Sequence, residues 1–224
     1  MDIQACQRLR ALAFVGASCG SDADEYDAVC DHLLIEDTLS GDLVASYRMM
    51  YLENGETIDH SYSAQYYQLA ALKNFPQPML EIGRFCIRPG LLDSDILRIA
   101  WATITRIVDR RNVRMLFGCS SFIGIDATEY RDTFAVLKLQ HQAPERWRPQ
   151  VKSSNVVPFE GMVKSHTNAL RTMPPMLRTY LMMGGWVSDH AVVDRELNTL
   201  HVFVGVETAA IPQSRKRLLR AVAR

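Results

Sequence analysis

Three observations in this 224-residue chain predict an α/β fold, a mixed central sheet flanked by helices. Ile96, Leu97, Ala100, Trp101, Ile104, Ile107 and Val108 recur at helical spacing, between two apolar stretches of strand length, Met79–Ile87 and Val113–Cys119. Strand, helix, strand in that order implies a parallel pairing made by a right-handed crossover. His190–Asp194 and Leu200–Glu207 then add late strands. With no internal repeat and no low-complexity segment, the chain reads as a single domain, residues 1–142 its core and 143–224 a C-terminal elaboration that completes it.

The elements follow in order. Asp2 to Phe14 is an amphipathic first helix, clearest from Gln4, with Leu9, Leu12 and Ala13 able to share a face. Phe14 to Cys30 is loop-like. His32–Glu36 and Leu43–Leu52 are strands, and Thr38-Leu39-Ser40-Gly41-Asp42 joins them as a hairpin. Tyr62 to Phe75 is expected to be helical, stopped by Pro76 and Pro78. Asp93-Ser94-Asp95 supplies the start of the periodic helix. Ala127–Gln140 is a further helix, Ala143–Pro158 an ordered excursion with three prolines, and Pro174-Pro175 opens a helix that Gly184-Gly185 ends.

Bulk properties exclude several classes. With 48% hydrophobic and 22% charged residues the chain is not disordered, and 25 basic against 25 acidic residues name no partner. Asp22–Asp42 is locally acidic, whereas Arg215-Lys216-Arg217, Arg220 and Arg224 make a basic end. Five cysteines (Cys6, Cys19, Cys30, Cys86, Cys119) form no C-x-x-C pair, which suits reduced thiols. His32, His60, His141, His166, His190 and His201 lie too far apart for a local metal motif, so no metal is expected. Arg8 to Cys19 has the outline of a lipoprotein signal, but Arg10 interrupts its apolar run. No run reaches the roughly 20 apolar residues that span a bilayer, so membrane contact would be peripheral.

The chemistry concentrates in Met79-Leu80-Glu81-Ile82-Gly83-Arg84-Phe85-Cys86-Ile87. Two charges inside a buried strand are costly unless a partner or a task retains them. Strand alternation puts Glu81, Gly83 and Phe85 on one face and Ile82, Arg84 and Cys86 on the other. A carboxylate beside a mid-strand glycine marks a place where a ligand approaches the backbone closely. A structural Glu–Arg ion pair accounts for the same charges.

Upstream stand Leu9-Arg10 with Phe14, then Asp24-Glu25-Tyr26-Asp27 with Cys30-Asp31-His32-Leu33-Leu34, then Ser46-Tyr47-Arg48. In this order, and followed by Glu81-x-Gly83-Arg84, they resemble the acyl-carrier-protein-dependent N-acyltransferases of the GNAT superfamily. Acyl-homoserine-lactone synthases share the skeleton. The closer resemblance is to the L-ornithine N-acyltransferases of ornithine-lipid synthesis, whose later motifs match Leu116-Phe117-Gly118-Cys119-Ser120-Ser121-Phe122, Pro174-Pro175-Met176-Leu177 with Tyr180-Leu181, and Val193-Asp194 with Asn198-Thr199.

The resemblance implies a GNAT-like sheet in which a bulge in the Met79–Ile87 strand opens a slot for a pantetheine arm. It implies transfer of a 3-hydroxyacyl chain from acyl carrier protein to the α-amine of L-ornithine, giving lyso-ornithine lipid, with the 4'-phosphopantetheine arm as donor and no tightly bound cofactor. Glu81 and Arg84 are then the catalytic candidates, Glu81 accepting the amine's proton. Arg10, Asp24, Asp27, Arg48, Phe85, Ser120, Ser121 and Phe122 are candidate substrate-binding residues. Arg48 and Arg84 could fork the acceptor carboxylate, and Asp24, Asp27 and Asp31 could meet a side-chain ammonium. In the related synthases the paired acids instead order the N-terminal loop, with Arg10 as its tether. Arg106, Arg110, Arg111 and Arg114 would dock an acidic carrier. Leu116, Phe117, Phe122, Trp101 or Met182 could line an acyl pocket, although such residues are commonly plain core. The protein would be cytoplasmic, its basic C-terminal tail meeting either the carrier or the inner membrane; no nucleic-acid partner is implied.

The sequence also departs from these families. Arg88-Pro89-Gly90-Leu91-Leu92-Asp93 lacks the second glycine of a coenzyme A pyrophosphate turn, and Asp93 would repel a pyrophosphate, which favours a carrier donor. Val15-Gly16-Ala17-Ser18 and His201 stand where the ornithine enzymes are expected to differ, which bears on the acceptor. GNAT proteins usually begin with a strand before the first helix; here it is absent or lies upstream of Met1. The alternatives are an N-acyl amino acid or acyl-homoserine-lactone-type synthase, or a non-catalytic module that binds acyl carrier protein or lipid.

Overall fold

A computed structural model describes residues 2–16, 20–91, 93–159 and 169–223. Ala17, Ser18, Cys19, Leu92, His166 and Arg224, all invoked above, lie outside the described residues. Along the chain run α1 (Asp2–Phe14), β1 (Asp31–Glu36), β2 (Leu43–Leu52), α2 (Ser63–Tyr66), β3 (Tyr67–Gln68), β4 (Met79–Ile87), α3 (Ser94–Arg110), β5 (Met115–Ile123) and α4 (Arg131–Gln140). There follow β6 (Gln150–Val151), β7 (Val156–Pro158), α5 (Ala169–Thr172), α6 (Pro175–Met182), β8 (Trp186–Val187), β9 (His190–Asp194), β10 (Thr199–Glu207) and α7 (Gln213–Val222). The predicted α/β class stands: mainly antiparallel strands with flanking helices.

The chain divides into two units: Met1–Tyr51, Leu80–Val113 and Gln213–Arg224 form one, Leu52–Met79 and Arg114–Pro212 the other. In the first, β1 pairs antiparallel with β2 from Asp31↔Met49 to Glu36↔Leu43, as the hairpin reading requires. β2 neighbours β4, with Ser46 Oγ meeting Cys86 Sγ at 3.5 Å and the Arg88 N–H donating to the Val44 carbonyl. Alternation sends the β2 side chains two ways. Tyr47 points to α3, its hydroxyl donating to the Ala100 carbonyl at 3.2 Å, whereas Ser46 and Arg48 point to the side of α1. The periodic helix starts where Asp93 caps it, accepting from the Asp95 N–H at 2.8 Å. The basic end, read as a tail, is a helix packed on α3.

The second unit is built around β10, which pairs with β5 from Thr199↔Ile123 to Glu207↔Met115 and with β9 and β8 along its other edge; β7 extends beyond β9. Phe203 stacks between Phe117 and Trp186, both at 5.9 Å, and Gly205 is required because the Trp186 indole lies 2.4 Å from where a Cβ would stand. On the other face Phe134 gathers Phe122 at 5.1 Å and Phe159 at 4.8 Å.

One element departs from expectation. Tyr62–Phe75 is not a continuous helix: α2 ends at Tyr66, Tyr67 pairs with Val151 in a two-stranded sheet, and a 3-10 turn covers Ala70–Asn74. The Tyr67 hydroxyl donates to the His201 carbonyl at 2.8 Å, a tertiary contact that competes with local helical preference.

Candidate active site

The site is assembled in the first unit from α1, β2, β4 and the loop carrying Asp22, Asp24 and Asp27. Asp24 caps the 3-10 turn Glu25–Ala28, accepting from the Tyr26 N–H at 3.0 Å, which fixes the loop locally. Three arginines from three elements then hold it. Arg10 on α1, 1% exposed, gives Asp27 a two-pronged pair at 2.7 and 2.7 Å and also donates to the Asp22 carbonyl. Arg48 on β2 forks the Asp24 carboxylate and reaches Asp27 at 3.0 Å. Arg84 on β4 meets Asp24 at 3.3 Å, and Asp22 Oδ2 lies 3.3 Å from Arg10 Nε and 3.4 Å from Arg84 Nε. Gln7 and His32 finish the frame: Gln7 donates to Asp27 at 2.9 Å, and His32 Nε2 lies 3.0 Å from the Asp27 carbonyl.

Electrostatics follow from this geometry. Burial alone would push the Asp27 carboxyl up, but the hydrogen bonds from Arg10 and Gln7 and the charges of Arg10 and Arg48 hold it well below the usual carboxylate range. Asp24 is likewise lowered, burial being outweighed by Arg48 and Arg84. Burial pushes the Cys30 thiol up to about 11, helped by the charges of Glu81, Asp24 and Asp27 against that of Arg48.

β4 carries a local irregularity. Arg84 has φ of 53°, a left-handed conformation rare for a residue with a side chain, and alternation breaks there. The expected division of faces is therefore corrected. Arg84 turns to the acidic loop, the Arg48 side chain lies 3.9 Å from where a Gly83 Cβ would stand, and Cys86 meets Ser46. Phe85 turns the other way, onto Tyr47 at 6.0 Å. Arg84 thus does not face away from Gly83, and Phe85 does not share its face. Glu81 is 3% exposed, with its charge felt by Cys30.

The remaining candidates belong to other elements. Ser120, Ser121 and Phe122 are on β5 in the second unit, opposite Val202, His201 and Leu200. Ser120 is buried, Ser121 exposed, and Phe122 packs in the aromatic core with Tyr130 at 4.9 Å. Leu116 and Phe117 are core as well, Trp101 is buried in the first unit, and Met182 is half-exposed. Arg106 donates to the Ala223 carbonyl; Arg110 is exposed; Arg111 lies over the Tyr51 ring at 5.0 Å and 3.6 Å from Asp31; Arg114 is half-buried in the second unit. Sequence reading passed over Gln7 and Asp22, although Gln7 lies one turn before Arg10 on α1 and Asp22 belongs to the same acidic run. Among the described residues no group of three or more His, Cys, Asp or Glu could hold a metal ion, and no helix is long and apolar enough to cross a membrane.

Comparison with known proteins adds independent findings. The family model for an acetyltransferase (GNAT) domain matches residues 10–102, a span that includes Arg10, all three loop acids, Arg48, Glu81 and Arg84. An L-ornithine N(alpha)-acyltransferase of Rhodobacter capsulatus is 30% identical over 96% of this chain and 89% of its own length. One of Brucella abortus is 30% identical over 90% of this chain and 79% of its own. Among solved structures, BjaI, a CoA-dependent acyl-homoserine lactone synthase, superposes with a TM-score of 0.54 at 12% identity, covering 98% of this chain and 81% of that one. TofI superposes at 0.51 with 15% identity, covering 99% and 91%. At such identities the likeness is one of fold.

Proposed function

The chain belongs to the family of L-ornithine N(alpha)-acyltransferases, and from that premise we propose that it transfers a 3-hydroxyacyl chain from acyl carrier protein to the α-amine of L-ornithine, giving lyso-ornithine lipid. The observation that carries the chemistry is the Glu81 carboxyl, nearly sealed from water two residues before a glycine and three before a left-handed arginine in β4. An α-amine is mostly protonated at neutral pH and must lose a proton before it attacks. Glu81 accepts that proton, directly or through a water. The amine nitrogen adds to the thioester carbonyl carbon, backbone N–H groups steady the oxyanion, and the C–S bond breaks. The pantetheine sulfur leaves and takes up a proton, and an amide remains.

Arg84 is assigned to holding the loop acids beside the reacting groups. Asp24 and Asp27 are bound to arginines, which favours a framing role over capture of an ammonium. Support for a carrier donor comes from α3: its N-terminus, where a nucleotide pyrophosphate would be drawn, is already capped by the Asp93 carboxylate. The phosphopantetheine arm is then the donor group, with no other cofactor, and the exposed Arg110 with Arg106 and Arg111 offers positive charge for an acidic carrier. The setting is cytoplasmic, with peripheral contact at the inner membrane.

The test is incubation with 3-hydroxyacyl carrier protein or 3-hydroxyacyl-CoA and a panel of amino acids, read by mass spectrometry. Acyl-ornithine from the carrier donor is expected. Acylation of another amino acid would displace ornithine, and CoA as the better donor would displace the carrier. Glu81→Gln should lower turnover about 10²–10⁴-fold without unfolding the protein; full turnover would remove Glu81 as the base.

A further inference from the structure

We propose that α7 and the part of α3 it lies on form a docking surface for anionic lipid bilayers. The inference goes beyond the transfer reaction and does not depend on it. α7 holds Arg215, Lys216, Arg217 and Arg220 and no acid, and it buries no residue completely. A ten-residue helix is marginal by itself in water. This one is fastened to α3 at its last turn, where Arg220 forks Asp109 at 2.9 and 2.9 Å and Arg106 donates to the Ala223 carbonyl. The clamp lowers the Asp109 carboxyl through the Arg220 bond.

What the clamp leaves outward is apolar as well as basic. Leu218 and Val222, four residues apart and so on one side of the helix, are 58% and 40% exposed, and Ile99 on α3 is 46% exposed. Arg217, beside Leu218, is exposed too. Water accommodates the cations but not the apolar side chains. A surface that accepts both offers negative headgroups over hydrocarbon, which is the chemistry of an anionic bilayer interface. Charge complementarity selects lipid of that sign, and the apolar side chains give the contact a part that salt does not screen.

The experiment is co-sedimentation of the full chain with vesicles of phosphatidylglycerol and phosphatidylcholine in equal parts, against vesicles of phosphatidylcholine alone. Binding to the anionic vesicles only is expected, weakened by salt. Leu218→Ser/Val222→Ser and, separately, Arg217→Glu should each lower it about tenfold. Circular dichroism and turnover with a soluble short-chain donor should be unchanged in both variants, because none of these residues belongs to the site around Glu81. No binding to anionic vesicles at low salt would overturn the proposal, as would equal binding by both variants. So would variants that lose affinity for acyl carrier protein while vesicles remain unbound, which would give the surface to the carrier.

Discussion

Around Arg48 the buried face of the sheet is polar: three arginines interlock with Asp22, Asp24 and Asp27, and Ser46 lies against Cys86. Around Phe134 and Phe203 the buried faces are aromatic, with Phe117, Phe122, Phe159 and Trp186 in ring contact. Both unit interiors are buried, yet they are stabilised by different physics. Apolar packing gains from water removal and is indifferent to protonation. A buried ionic lattice holds only while every partner stays charged, because removal of one leaves another desolvated and unmatched. The interlocked carboxylates around Arg48 thus tie the integrity of the first unit to pH. Its lattice organises a loop rather than adding net stability, since a buried pair contributes little over a well-packed apolar substitute.

The comparison breaks most readily at the aromatic end. Phe134 is fully buried, and Phe134→Ala should cost about 4 kcal/mol through lost transfer energy and the cavity left behind. Urea denaturation should show the same loss at neutral and mildly acidic pH. A loss that shrank on acidification would mean that the aromatic core is coupled to the charged lattice.

Asp27→Asn is next, at about 3 kcal/mol, because Arg10 and Arg48 would keep their burial and lose a counter-charge. This cost should depend on pH. Asp27 and Asp24 titrate below the ordinary 3.8 in the folded chain, so their stabilisation is fully present above that value and fades as pH falls through the lowered ones. Wild-type stability should therefore fall on acidification below roughly pH 4, and the Asp27→Asn slope should be flatter. Parallel slopes would show that the lattice is not what titrates.

The two regions also differ in how far they can be read from sequence. α3 was legible because its apolar residues recur at a period that only a helix satisfies, and Asp93 is a capping residue in the right place. The late strands and α6 were legible for similar local reasons: continuous apolar runs, and prolines before and glycines after the helix. The ionic lattice was visible only as charged motifs whose order resembled a family, since Asp22 to Arg84 meet through tertiary folding. The break in Tyr62–Phe75 depends on His201, far away in the chain, so no local pattern could signal it. α7 was missed as a helix because ten residues rich in arginine look like a solvated tail until Asp109 and Arg106 are seen to hold them.

The left-handed residue in β4 gives the smallest effect and the sharpest test of what position 84 contributes. Nothing in the local sequence announces φ of 53° at an arginine next to a glycine, and the conformation costs roughly 1 kcal/mol that glycine would not incur. Arg84→Ala and Arg84→Gly lose the same guanidinium and the same bonds to Asp22 and Asp24. They differ only in the backbone, so Arg84→Gly should be the more stable of the two by about 1 kcal/mol in urea denaturation, with equal loss of turnover. At Gly83, whose φ is not positive, Ala should be tolerated, for the nearest atoms to its Cβ lie 3.9 Å away on the flexible Arg48 side chain. If Ala and Gly at position 84 proved equally stable, the irregularity would be a product of the Arg84 ion pairs rather than of the strand. The polar region would then owe its shape as well as its pH dependence to charge alone.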